Sequence, residues 1–267
     1  MEESRFAFLG SSSSGNSGLL KTDESKVLVD LGFSARRTCQ FLRDLNESID
    51  GIDAIFLTHE HGDHARGLSG LAKHADIPVF ANRDTARALQ KKLSWRPNWH
   101  IFETGSKFKH RDIEIQSFSV PHDAYDPVGF TFEWGYDDLF SPRQSLGWLT
   151  DLGYVPEQVK ECIAHVDTLV LEANYDADLL EKDIKRPWSV KQRIRGRHGH
   201  LSNQDAMAFI DEMSASRWKQ LYLVHLSRDC NDVNLVNRLF TPLAQRMNKL
   251  RLSVIDPDEF CPAPIFF

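Results

Sequence analysis

Cysteine is scarce in this chain: four among 267 residues, Cys39, Cys162, Cys230 and Cys261, with no C-x-x-C pair. That argues against a disulfide framework, and the thiols read as reduced groups of a cytosolic protein. Long apolar runs are missing too, since no stretch approaches the roughly 18 residues that cross a bilayer. The opening Met1-Glu-Glu-Ser-Arg lacks the basic start and apolar segment of a secretory signal. The expectation is a soluble, cytoplasmic protein with no membrane partner. Positive charge is not in surplus: 32 Lys+Arg face 38 Asp+Glu, a net charge of −6. No global field draws nucleic acid, so any affinity for phosphate must be local.

What is present is ordinary in bulk and unusual in one place. Hydrophobic residues make up 41% and charged residues 26%, values that support a sizeable core. The chain is organised around Ile55-Phe-Leu-Thr-His59-Glu-His61-Gly-Asp63-His64. Apolar, β-favouring residues lead into a knot of imidazoles and a carboxylate, after which a helix-like pattern resumes. This reads as a buried strand delivering metal ligands at its carboxyl end. The run holds more ligands than a mononuclear site needs, which points to two ions.

The theme recurs downstream. Apolar strands end in Pro121-His122-Asp123, in Thr150-Asp151 and in His225. Each of these alone is more often a satisfied structural residue than a ligand. Together with the first run they complete two shells: His59, His61 and His122 for one ion, Asp63, His64 and His225 for the other, with Asp151 bridging. Two divalent ions so held keep a hydroxide between them and stabilise the attacking and leaving oxygens of an in-line displacement. Phosphodiester hydrolysis fits such a centre. Five histidines and two carboxylates suit Zn²⁺, Mn²⁺ or Fe²⁺.

Other stretches have more than one reading. The Gly/Ser run at residues 10–18 is a flexible hairpin loop, or a turn whose small residues let amides approach an anion. Ser34 is expected to cap a helix reaching Leu45, and Asp84 one from Thr85 to Leu93. Lys91, Lys92, Trp95, Arg96 and Trp99 form a basic, aromatic cluster that stacks nucleic acid or packs its rings inward. Residues 135–145 are polar and turn-rich, a hairpin tip or insertion. Between Lys182 and His198 seven basic residues face only Asp183, as a solvated face or a local track for a nucleic-acid backbone. Strand–strand–helix order in both halves suggests two sheets face to face with helices outside.

His59-x-His61-x-Asp63-His64, with His122, Asp151 and His225, resembles the metallo-β-lactamase superfamily. Within it, six stretches resemble the YycJ/WalJ group: Gly10-Ser-Ser-Ser-Ser-Gly-Asn-Ser17, Leu28-Val-Asp30-Leu-Gly32, Pro121-His-Asp-Ala124, Thr150-Asp-Leu-Gly153, Gly199-His-Leu-Ser-Asn203 and His225-Leu-Ser227. The resemblance implies one domain over residues 1–267, an α/β, four-layer αββα sandwich, with a dinuclear Zn²⁺ or Mn²⁺ centre. It also implies nuclease-like activity, with 5′→3′ DNA exonuclease as the activity associated with the group, and places Asp30 behind the ligands, steadying their loop. Residues 135–145 are longer than the group's usual hairpin, and Arg228-Asp-Cys-Asn231 departs from its paired Asn. The β-CASP insertion of larger nucleases is absent.

In related phosphodiesterases a histidine in a similar motif before a helix donates the proton to the leaving group, a role His200 would take here. Catalytic candidates are thus Asp63 and His200. Substrate-binding candidates are Lys191, Arg193, Arg195, Arg197, Ser202 and Asn203, where phosphate would meet side-chain charge and free N–H groups before the helix. The alternatives are a small-molecule (cyclic) phosphodiesterase or other ester hydrolase on the same centre, and a non-catalytic metal-bound regulatory module.

Overall fold

A computed structural model describes residues 5–135, 143–247, 250–259 and 265–266. The first half runs β1 (Arg5–Ser12), β2 (Gly15–Lys21), β3 (Lys26–Val29), α1 (Ala35–Asp44), β4 (Ala54–Phe56), α2 (Gly62–Ala65), β5 (Pro78–Asn82), α3 (Arg83–Gln90) and β6 (Asn98–Phe102). The second runs β7 (Lys107–His110), β8 (Ile113–Ser119), β9 (Val128–Trp134), β10 (Gln144–Leu149), α4 (Glu157–Ile163), β11 (Thr168–Glu172), α5 (Ala177–Lys182), α6 (Trp188–Arg195), α7 (Asn203–Glu212), β12 (Gln220–Val224), α8 (Val233–Arg246) and β13 (Arg251–Val254). A last strand, β14 (Ile265–Phe266), returns to pair with β1.

Two seven-stranded sheets result, ordered β14-β1-β2-β3-β4-β5-β6 and β13-β12-β11-β10-β9-β8-β7. In each, hairpin-linked strands pair antiparallel, and strands joined through helices pair parallel: β3 to β6 in one, β10 to β13 in the other. Side-chain alternation sorts the layers. Phe6 and Phe8, Val27 and Val29, Ala54 and Phe56 meet Phe130, Phe132, Leu146, Trp148, Val170, Tyr222 and Val224 between the sheets. Their neighbours on the opposite faces, such as Leu28 and Ile55, pack under α1 and α3, while Leu169, Leu171, Leu221 and Leu223 pack under α4, α7 and α8. A period of two on both faces makes these runs continuously apolar and buries each sheet twice. The result is the αββα sandwich expected from the resemblance.

Several boundaries move. Asn82, not Asp84, accepts from the Thr85 N–H and caps α3, which ends at Gln90. Between Tyr175 and Gly196 the chain forms two short helices: Asp176 caps α5, and α6 begins after Pro187. Trp95 and Trp99 pack inward against the outer core, their indole N–H groups bound to Leu68 O at 3.1 Å and Gln90 Oε1 at 3.0 Å. Most of residues 135–145 lies outside the described residues. Among those described, no helix is long and apolar enough to cross a membrane.

Candidate metal centre

The carboxyl ends of both sets of parallel strands open toward one edge of the sandwich, where ligands collect in open α/β sheets. After β4 the chain leaves the core through Leu57 and Thr58, and His61 stands just before α2 in extended conformation (φ −65°, ψ 150°). That keeps His59 and His61 beside each other, ring centroids 4.6 Å apart, while the turn of helix carries Asp63 and His64. Gly32 permits this: a Cβ there would lie 1.7 Å from the Asp63 carbonyl oxygen. The second half delivers one residue per strand: His122 after β8, Asp151 after β10, Glu172 closing β11 and His225 directly after β12. Asp30, Asp151 and His225 adopt left-handed φ of 61°, 57° and 59°. Such backbone costs on the order of 1–2 kcal/mol for a non-glycine residue and persists where its surroundings enforce it.

The ligand atoms of His59, His61 and His122 lie within 4.8 Å of one another, as do those of Asp63, His64 and His225. Asp151 sits between the groups, Oδ2 3.0 Å from His64 Nε2 and Oδ1 3.8 Å from His122 Nε2. Four of the five histidines have one ring nitrogen held from behind. Nδ1 donates to Thr58 Oγ1 from His59 (3.0 Å), to Asp30 Oδ2 from His64 (2.8 Å), to the Gly199 carbonyl from His122 (3.1 Å) and to Glu172 Oε1 from His225 (2.7 Å). This fixes each tautomer with Nε2 facing the cluster, the arrangement metal-bound imidazoles use. Nε2 of His59 and of His225, and Oδ2 of Asp151, are buried with no hydrogen-bond partner in the protein. An orphaned buried polar atom costs about 1–3 kcal/mol. Three converging orphans fit divalent metal ions, and the donor set of imidazoles and carboxylates agrees.

Charge within the cluster is strongly coupled. Burial drives the His59 imidazole well below its ordinary pKa. Burial would do the same to His64, but the carboxylates of Asp151, Asp30 and Asp63 outweigh it and hold that group well above. Asp151, although buried, is held well below the usual carboxylate range by His225 and His64.

Glu172 is the residue sequence reasoning missed. It is fully buried, and Oε1 accepts from Nδ1 of both His200 (2.8 Å) and His225 (2.7 Å). Oε2 accepts from the N–H of Leu152 (3.1 Å) and of Leu201 (3.2 Å). Burial opposes its ionisation, yet the two histidines pull its pKa down to about 2. The signal was there: Thr168-Leu-Val-Leu-Glu172 is an apolar strand ending in a carboxylate, as at Asp151. Asn16 and Ser11 were also missed. Asn16 Nδ2 lies 3.1 Å from His64 Nε2, and Ser11 Oγ accepts the His225 N–H at 3.0 Å. The Gly/Ser run is therefore mostly paired β-structure of β1 and β2, with a bulge between Phe8 and Gly10, and only Ser13 and Ser14 are exposed at its tip.

Asp30 lies behind the candidate ligands. Its Oδ1 accepts from the N–H of Thr58 at 2.9 Å, and the Thr58 hydroxyl, which receives His59, donates to it at 3.0 Å. His200 joins the cluster, its ring 5.3 Å from those of both His122 and His225. Burial lowers its pKa but Glu172 more than offsets this, and the net shift is upward.

The substrate-binding candidates are dispersed. Lys191 turns inward and its ammonium donates to the Glu181 carbonyl at 2.7 Å. Arg193 pairs with Asp123, Arg195 with Glu181 at 2.7 Å, and Arg186 and Lys185 with Asp229. Four of the seven basic residues counted along the chain thus pair with acids, and two of those acids, Asp123 and Asp229, are distant in sequence. Arg197 lies over the Tyr154 ring at 4.7 Å. Ser202 caps α7 through the Asp205 N–H (3.0 Å), and buried Asn203 exchanges two 2.9 Å amide bonds with Asn231. The N–H groups of His200, Leu201 and Asn203 are bound to Ile194 O, Glu172 Oε2 and Tyr175 O, so they are not open to phosphate.

A sandwich of this topology, with imidazoles and carboxylates gathered at its strand ends, defines a metal-dependent hydrolase. The chain belongs to the metallo-β-lactamase superfamily: residues 25–226 match the family model described as beta-lactamase superfamily domain. It is 36% identical over 228 residues to exodeoxyribonuclease YycJ of Bacillus anthracis, covering 85% of this chain and 83% of that protein. It is 35% identical over 244 residues to exodeoxyribonuclease WalJ of Streptococcus pneumoniae serotype 2, covering 88% of each. Zn²⁺-bound PqqB from Methylobacterium extorquens shares the fold, with a TM-score of 0.71 at 15% identity over 98% of this chain and all (100%) of that one.

Proposed function

We propose that the protein is an exodeoxyribonuclease that hydrolyses DNA phosphodiesters in the 5′→3′ direction on a dinuclear centre of Zn²⁺ or Mn²⁺, with Fe²⁺ also compatible, and that it works in the cytoplasm as one domain. The observation that carries this reading is the pair of ligand groups meeting at Asp151, with the Glu172–His200 pair beside them. His59, His61 and His122 would hold one ion, Asp63, His64 and His225 the other, and Asp151 both. Two such ions supply Lewis acidity toward the phosphoryl oxygens and lower the pKa of water.

The chain's own residues do the rest. Asp30 and Glu172 fix the tautomers and ring directions of their histidines, so no reorganisation is needed when substrate arrives. His200 stands beside His122 and His225, and Glu172 favours its imidazolium. That makes it a proton donor to the departing oxygen. The relatives' names support DNA as substrate.

The test is an assay of the purified protein with Mn²⁺ and with Zn²⁺. Its substrates are single- and double-stranded DNA and RNA, each labelled at the 5′ or the 3′ end. Stepwise release of nucleotides from 5′ ends of DNA is the expected result. Turnover of RNA alone, or of small diesters alone, overturns the reading.

A further inference from the structure

The rim of the metal centre carries two exposed tyrosines, each three residues beyond a cluster residue: Tyr125 after His122 and Tyr154 after Asp151. Tyr125 is 74% exposed and Tyr154 37%. Isolated exposed rings are common and need no function. These two differ in how firmly their backbone is held. The Tyr125 N–H donates at 3.1 Å to Glu60 Oε1, a buried carboxylate between His59 and His61. The next residue, Asp126, is pinned twice: its carbonyl accepts Asn82 Nδ2 at 2.6 Å and its carboxylate the Thr104 hydroxyl at 2.7 Å. At the base of the loop, Val120 N–H bonds Pro127 O at 3.0 Å and Val128 N–H bonds Thr58 O at 3.1 Å. A rigid loop thus holds a large ring in water beside the ligands.

The second tyrosine is fixed to the first loop. Gly153 N–H donates to Pro121 O at 3.0 Å, and Gly153 packs so closely on the 196–197 backbone that a Cβ would meet Arg197 O at 2.4 Å. Arg197 then lays its guanidinium 4.7 Å from the Tyr154 ring centroid. A planar ring with a cation across its face is what an unpaired base and its phosphate recognise without regard to sequence.

From this geometry we infer that Tyr125 and the Tyr154–Arg197 pair form a stacking platform for the unpaired terminal bases of a DNA strand, positioning the scissile phosphate over the metal centre. The inference rests on the nuclease reading above. It makes the enzyme selective for single-stranded or frayed ends, because bases in a duplex have both faces covered. It also explains how a chain of net charge −6 holds a polyanion, through ring planes and one rim cation.

The test compares kcat/KM of the metal-loaded enzyme on a single-stranded oligonucleotide and on one of equal length with abasic residues at its terminal positions. The wild type should favour the base-bearing strand about ten-fold or more, since each stacked base contributes roughly 1–3 kcal/mol. In Tyr125→Ala and Tyr154→Ala the two rates should converge, through KM, while Tyr125→Phe and Tyr154→Phe keep the preference. A preference that survives both alanine variants, or a wild type that cleaves both strands equally, overturns the platform alone. A wild type that cleaves neither strand overturns the nuclease reading and the platform with it.

Discussion

Asp30 and Glu172 do the same job in opposite halves of the molecule. Each is a fully buried carboxylate at the end of a strand, β3 or β11, and each holds two imidazoles. Asp30 holds His64 directly and His59 through Thr58, while Glu172 holds His200 and His225 directly. Their ionisation nevertheless moves in opposite directions. Burial raises the Asp30 pKa, and one imidazole with Thr58 only partly offsets it. Two imidazoles against Glu172 overcome the same burial and bring it to about 2. Desolvation acts on both alike and prevails at Asp30, so the difference between them is set by the number of cationic partners in contact. The halves differ also in supply. The first sends His59, His61, Asp63 and His64 from one turn after β4, and the second sends His122, Asp151, Glu172 and His225 from four separate strand ends.

If the two halves contribute equally to the centre, the largest effects fall on the ligands of both. His61→Ala and Asp63→Ala on one side, and His225→Ala on the other, should each lower kcat/KM on DNA by more than about 100-fold, beyond the loss usual for residues behind the ligands. Retained activity in any of them, measured with metal content, breaks the proposed ligand set. Next come the two supporting carboxylates. Asp30→Asn and Glu172→Gln should each cost about 10- to 100-fold in metal affinity or activity. Glu172→Gln should lose more in kcat, since it also serves His200; equal losses would mean that His200 is not the proton donor.

Metal itself should stabilise the fold by joining the halves. At an ion concentration 100 times Kd the gain is about 2.7 kcal/mol, read from denaturant melts with and without chelator. No shift on chelation would remove the metal from the argument. The smallest effect is expected at Ser202, which lies outside the comparison. Ser202→Ala should cost about 1 kcal/mol of stability as a lost helix cap, with kcat/KM unchanged. A selective loss of activity would restore it as a substrate contact.

Legibility followed sequence distance. The β4 turn was readable because its four candidate ligand residues lie within six positions, and apolar runs marked the strands that end before His122, Asp151 and His225. Glu172 ends an apolar strand as Asp151 does, but the two shells counted from the sequence were already complete without it, so that signal went unused. The basic stretch was ambiguous for the converse reason. Seven cations stand together along the chain, while the acids that meet four of them, Asp123, Glu181 and Asp229, stand partly elsewhere. Lys191 was lost to burial, and Ser202 and Asn203 to the start of α7 and to Asn231.

The order of apolar and polar residues by itself determined the two sheets, the helices that cover them and the strand ends where ligands appear, because a period of two sorts side chains to opposite faces whatever they finally touch. Only the tertiary structure decided which charges stay free, which imidazole nitrogen faces inward and which carboxylate stands behind it. Those are settled by contacts of a few ångströms between residues as far apart as Asp30 and His64, or Glu172 and His225. Coulomb and hydrogen-bond energies fall off with distance in space, and sequence records separation along the chain instead.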